Sequence, residues 1–106
     1  MTELYTFCFD LDQTLCVTPG TDYEKSEPIQ ERIDKVNWLY LKGNRIIIFT
    51  ARGSKSGVDF SNLTSNKLKT WGLKFHELIL GKPFAHFYID DLAVHSESFD
   101  WSLADK

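Results

Sequence analysis

Residues 45–50 read RIIIFT. Three consecutive isoleucines followed by a phenylalanine leave no polar face, and β-branched side chains favour extended backbone. A short run of this kind predicts a strand buried on both faces, the signature of a parallel sheet covered by helices. The flanking sequence supplies candidates for those helices. Ser26 and Glu27 lead into Pro28, which suits the first turn of a helix. Ile29, Ile33, Val36 and Tyr40 then recur at three- and four-residue steps, and Gly43 supplies the stop. Phe60, Leu63, Leu68 and Trp71 mark a second helix ending at Gly72. Leu4–Phe9, His76–Leu80 and Ala85–Ile89 read as further strands, and Phe99 and Trp101 as a tail packing back on the domain. Strands alternating with helices, without hairpin turns, predict βαβ units: an α/β fold in three layers, with a mainly parallel central sheet.

At 106 residues the chain holds one core, so residues 1–106 form a single domain. No apolar run approaches the ~20 residues that span a bilayer, and Glu3 leads directly into strand-like sequence without a leader. Cys8 and Cys16 have neither metal-ligand spacing nor the numbers for a disulfide scaffold, and Cys8 reads as a buried core thiol. A cytoplasmic protein is the simplest account. The net charge of −3 and the lack of an aromatic–basic stripe argue against nucleic acid as partner.

In open parallel sheets, ligands bind beyond the carboxyl ends of the strands. Asp10, Asp12, Thr50, Lys82, Asp90 and Asp91 all fall at or just after predicted strand ends, so a parallel arrangement gathers them along one edge. So many carboxylates need a compensating cation. Mg²⁺ suits them, because it takes hard oxygen ligands and meets substrates through phosphate oxygens. Thr50 offers a hydroxyl, the turn TARGS with Ala51 and Arg52 offers backbone amides for an oxyanion, and Lys82 adds a compact positive charge. Bland readings exist for each part. Aspartates are common in turns, Asp90 and Asp91 could cap the following segment, and Arg52 could be a solvated loop residue. Tyr23 serves substrate contact or packing; His76, His86 and His95 read as structural or surface residues, and Trp38, Trp71 and Trp101 as core.

DLDQTL at 10–15, FT at 49–50, Lys82 in GKP and DD at 90–91 resemble, in order, motifs one to four of the haloacid dehalogenase (HAD) superfamily. The phrases VNWLYLKGNRIIIFTARG and KTWGLKFHELILGKPFAHFYIDD are similar to small capless phosphatases encoded with bacterial capsule and surface-polysaccharide genes. The resemblance implies a Rossmann-like fold and a Mg²⁺-dependent phosphomonoester hydrolase acting on a sugar phosphate or another small phosphorylated metabolite. It implies Asp10 as nucleophile forming an aspartyl-phosphate, and Asp12 as general acid and then base. Thr50 and Lys82 would hold the phosphoryl group, with Ala51 and Arg52 beside it. Asp10, Asp90, Asp91 and the main-chain carbonyl of Asp12 would serve the metal. Gln13 departs from the glycine that many members carry at that place.

Neither interval between the motifs holds a cap domain, and residues 17–28 form at most a flap over the site. An open site implies a large substrate, loose specificity, or a lid from a neighbouring subunit in a homo-oligomer. A nucleic-acid end phosphatase is the alternative enzyme. A phospho-receiver or Mg²⁺-binding module is the alternative from another class, against which stand the motif order and the carboxylate at Asp12.

Overall fold

The computed structural model describes residues 3–102. The chain runs through β1 (Thr6–Phe9), β2 (Cys16–Val17), β3 (Glu27–Pro28), α1 (Gln30–Leu41), β4 (Arg45–Thr50), α2 (Ser61–Thr70) and β5 (Glu77–Leu80). A 3₁₀ turn at Tyr23–Lys25 lies between β2 and β3. β4 is the centre of a parallel three-stranded sheet, with β1 on one side and β5 on the other. The result is a small α/β fold made of two consecutive βαβ units. No helix among the described residues is long and apolar enough to cross a membrane.

Residues paired in register share a face of the sheet. Phe7 pairs with Ile46, and Phe9 with Ile48, which also pairs with Leu78. Ile46 and Ile48 are fully buried, in one cluster with Ile33, Val36 and Leu39 of α1 and Leu68 of α2. Both helices therefore cover this face. Topology explains why: strands added in chain order by right-handed crossovers place their helices on the same side. The expected third layer does not form among the described residues. Cys8, Ile47, Phe49 and Ile79 point to the other face, where they are half-buried or exposed. Cys8 is thus an exposed thiol on an edge strand, and not the core thiol its neighbours suggest.

Two boundaries shift for local reasons. α1 begins at Gln30, after Ile29, and Pro28 lies before it in a two-stranded antiparallel ribbon. That ribbon pairs Cys16 with Pro28 and Val17 with Glu27, and the Ile29 N–H donates to the Leu15 carbonyl at 2.9 Å. Stitching the two ends of the 17–28 segment together takes precedence over an earlier helix start. Ala85–Ile89 forms no strand, and Phe87 is 82% and Ile89 96% exposed. The segment folds back on its own loop instead: the Tyr88 hydroxyl donates to the Pro83 carbonyl at 2.5 Å, and its ring covers the Lys82 ammonium. The outer edge of β1 consequently has no strand partner among the described residues.

The tail does pack back. Trp101 stacks on Phe9 at 5.9 Å between ring centroids, and Phe99 meets Phe7 and Phe9 edge-on at 6.3 and 6.1 Å. The Arg32 guanidinium covers the outer side of Trp101 at 4.9 Å.

These burials set a contrast that urea denaturation can read. Ile48→Ala opens a cavity in the centre of the core and should cost about 2–5 kcal/mol. Ile89→Ala should change stability by less than about 0.5 kcal/mol. A large loss at Ile89 would mean that its segment is packed as a strand after all.

Candidate active site

β1 ends in Phe9, and the chain then makes a tight turn. The N–H groups of Thr14, Leu15 and Cys16 all point at the Leu11 carbonyl, at 3.1, 2.8 and 3.3 Å. Within this turn Gln13 has φ of 62°, the one positive φ outside glycine among the described residues. A left-handed residue with a side chain costs roughly 1–2 kcal/mol. The Gln13 side chain offsets this: its amide nitrogen donates to the Thr18 carbonyl at 2.9 Å, and its oxygen accepts the Thr18 N–H at 3.4 Å.

The turn sends the two aspartates to different partners. Asp10 is half-buried, with the Lys82 ammonium 3.7 Å from its carboxylate. Lys82 is held there by its N–H, which donates to the Thr50 carbonyl at 3.1 Å, and by the Tyr88 ring at 4.3 Å. Ser54 ties the TARGS turn to the same place, donating to the Lys82 carbonyl at 2.6 Å. Burial pushes the Asp10 carboxyl above its ordinary value, against the opposing charge of Lys82 and a bond from the Leu11 N–H. Asp10, Lys82 and Asp90 line one cavity of about 580 Å³, whose other walls include Phe9, Phe99 and Trp101.

Asp12 belongs to a separate, buried network. The Arg52 Nε donates to its Oδ2 at 3.0 Å and Nη2 to its Oδ1 at 2.8 Å, while the Thr18 hydroxyl donates to Oδ1 at 2.5 Å. The Arg52 side chain is wholly buried, whereas that of Asp12 keeps 23% exposure. Burial pushes the Asp12 carboxyl up, but the bonds from Arg52 and Thr18 and the guanidinium charge outweigh it and hold it below the ordinary carboxylate range. Cys16 borders the same network; burial and the charge of Asp12 push its thiol up to about 11, so it is not a thiolate at neutral pH. Arg52 is thus neither the substrate contact nor the solvated loop residue that its place in TARGS suggests.

The other expected site residues are only partly assembled. Thr50 is buried, its hydroxyl accepts the Arg52 N–H at 3.2 Å, and it does not line the cavity. Ala51 is half-buried, and its carbonyl accepts the Ser54 N–H at 2.9 Å. Asp90 is exposed, with its carboxylate accepting the Leu92 N–H at 2.8 Å, a bond that lowers its pKa. Asp91 is exposed and does not line the cavity, and its side chain meets the Asp90 carboxylate in a hydrogen bond that lowers the Asp90 pKa further. Among the described residues, no three His, Cys, Asp or Glu side chains come together as a metal-holding group. Asp10 and Asp90, two hard oxygen donors on one cavity, fit the sparse protein ligation that Mg²⁺ accepts. The side chain of Asp12 is committed to Arg52, and that of Asp91 touches Asp90 without lining the cavity.

Tyr23 packs and does not face the cavity: its ring lies 4.5 Å from the Arg52 guanidinium and 4.8 Å from the Phe60 ring. His76 accepts the Ile46 N–H at 3.0 Å and His95 that of Glu97 at 3.1 Å, while His86 is exposed beside the Phe84 ring. Thr18, Ser26 and Thr64, all buried around Arg52, escaped the sequence reading. Thr64 carried a usable signal, as a hydroxyl residue one helical turn before buried Leu68. Thr18 and Ser26 carried none.

The two aspartates should affect stability with opposite signs. The raised pKa of Asp10 means that its ionised form destabilises the fold at neutral pH, so Asp10→Asn should raise the melting temperature at pH 7. Asp12 contributes stability above the unfolded carboxylate pKa of about 3.9, and loses it as pH falls through its lower folded value. Asp12→Asn leaves the buried guanidinium without its counter-charge, costs about 3–5 kcal/mol at pH 7, and removes that part of the acid sensitivity. Melting curves of the wild type and both variants across pH check all three statements.

No family model and no curated protein matches this chain. In structure it is similar to an MCSG target protein from Vibrio cholerae, with a TM-score of 0.81 at 24% sequence identity, over 96% of this chain and 94% of that one. The likeness shows the fold alone: a small α/β arrangement around a parallel sheet.

Proposed function

We propose that this chain is a Mg²⁺-dependent phosphomonoester hydrolase of the HAD type, with a Rossmann-like fold and no cap, acting through an aspartyl-phosphate on Asp10. The observation that carries the reading is the meeting of Asp10 and Lys82, from the ends of the two outer strands of a parallel sheet, in a cavity large enough for a small metabolite. A carboxylate that can attack and an ammonium that can hold the transferring group are the minimum that phosphoryl transfer asks of a protein.

In this reading an Asp10 oxygen attacks phosphorus, and the bond from phosphorus to the leaving oxygen breaks. The resemblance gives both proton transfers to Asp12, to the departing oxygen and from the attacking water, which requires that Arg52 and Thr18 first release its oxygens and that it take up a proton. Water attacks the aspartyl-phosphate, and the bond between phosphorus and the Asp10 oxygen breaks to restore the carboxylate. Lys82 balances phosphoryl charge throughout, from a position fixed by the main chain of Thr50. Asp10 and Asp90 would hold Mg²⁺, which when bound supplies further neutralisation of that charge. Phe9, Phe99 and Trp101 form an apolar wall on one side of the cavity. A sugar phosphate or another small phosphorylated metabolite is the proposed substrate, and the capsule-polysaccharide setting is a proposal on the same footing.

Hydrolysis of p-nitrophenyl phosphate tests this directly. The wild type should turn over with Mg²⁺ and stop with EDTA. Asp10→Asn should lose roughly 10³-fold or more, and Lys82→Ala roughly 10²–10³-fold. Should this ester be a poor substrate, beryllofluoride binding that depends on Asp10 is the second readout. Neither turnover nor binding would sink the proposal.

A further inference from the structure

The cavity in which Asp10 meets Lys82 is unevenly furnished. Among the described residues, the charged side chains lining it are Asp10, Lys82 and Asp90, and the first two meet at 3.7 Å. The remaining walls are mostly carbon. Phe9 directly precedes Asp10 in the chain, and Trp101, stacked on it at 5.9 Å, and Phe99, edge-on at 6.1 Å, extend its surface. Leu92 and Val94 also line the cavity, and at 83% and 60% exposure they leave apolar surface facing solvent. Two of the aromatic residues carry polar groups, and both turn them to the main chain. The Trp101 indole N–H donates to the Ser96 carbonyl at 2.9 Å, and the Tyr88 hydroxyl donates to that of Pro83. Neither has a proton left to donate to a ligand. Small polar groups come from Thr6, Thr14, Ser96 and Cys8, but among the described residues no Asn, Gln, Glu, Arg or His side chain lines the cavity.

A sugar brought into such a place would leave water with several hydroxyls and meet few groups able to answer them, and a buried hydroxyl without a partner is costly. An apolar ring or chain has the opposite balance, because it gains by leaving water and asks for no partner. Space is sufficient: a void of roughly 150 Å³ holds a benzene ring, and this cavity has about 580 Å³. We propose that the site takes phosphate monoesters whose alcohol part is an apolar ring or chain, with the phosphoryl group at Asp10 and Lys82 and the apolar part against Phe99, Trp101, Leu92 and Val94. This rests on the phosphatase reading above and narrows its substrate class, setting sugar phosphates aside. The charged head goes to the ammonium and the uncharged body to the uncharged wall, so a few polar groups suffice to fix which end enters where.

Two primary alkyl esters provide the test, because their leaving groups ask for similar help from a proton. With Mg²⁺, kcat/KM for 2-phenylethyl phosphate should exceed that for glucose 6-phosphate at least about tenfold, chiefly through a lower KM. Leu92→Ser combined with Val94→Ser, both at exposed positions, should raise KM for the phenylethyl ester roughly threefold or more and narrow the preference. Equal kcat/KM for the two esters, a preference for glucose 6-phosphate, or a preference that the double variant leaves untouched overturns the proposal, while hydrolysis of p-nitrophenyl phosphate keeps the phosphatase reading intact. Where neither alkyl ester turns over, isothermal titration with 2-phenylethylphosphonate and methylphosphonate takes their place, since the two share a head group that cannot be hydrolysed. Binding of the first at least about tenfold tighter than the second supports the proposal, and equal binding or none overturns it. A wild type that neither hydrolyses p-nitrophenyl phosphate nor binds beryllofluoride through Asp10 overturns both.

Discussion

A guanidinium sealed from solvent has to be paid for, and the local architecture around Arg52 follows from that requirement. An isolated buried charge is prohibitive, so each of its donors must meet an acceptor. The acceptors come from the turn after β1, from residues 17–28 and from α2, none of which belongs to the three-stranded sheet. The sheet aligns β1, β4 and β5, but it is this cation that fixes how the segments beyond the strand ends sit against each other. Hydrophobic burial alone is non-directional and would leave them free to slide.

The same turn separates two carboxylates that lie only two residues apart. Asp12 goes to a cation it cannot leave; Asp10 goes to one it can. Lys82 stands 3.7 Å from Asp10, beyond the length of a strong charge-assisted bond, and on a side chain that keeps 19% exposure. A ligand anion can take over part of that contact, as none can with Arg52. Burial meanwhile keeps Asp10 under-compensated, a pattern common where a carboxylate is kept for chemistry at a cost in stability.

Much of the fold was legible because it depends on local pattern. The isoleucines of β4, the spacing of Ile33 and Val36, and the glycines at 43 and 72 each act within a few residues, and each stands where the pattern predicts. Packing by Phe99 and Trp101 was legible for a similar reason, since large aromatics need cover. The failures are of another kind. Ala85–Ile89 has strand composition, yet whether it pairs depends on a competing loop contact from Tyr88 to Pro83 that composition does not encode. The third layer failed because the side on which helices fall depends on strand order. At the site, the meeting of Asp10 with Lys82 followed from strand ends alone. The fate of Arg52 did not, because exposure and full burial are equally open to an arginine in a turn until its partners are known.

The aromatic contact between tail and first strand also sets an order of events. The two βαβ units join neighbours in the chain and can form while the chain is still being made, as local topology folds fast. Phe7 and Phe9 emerge well before their outer cover, Phe99 and Trp101. Until then β1 carries an uncovered aromatic pair beside an open edge. The growing chain is thus at its stickiest once β1, β4 and β5 are in place and Phe99 and Trp101 are still to come, and those two rings act as a late seal on β1.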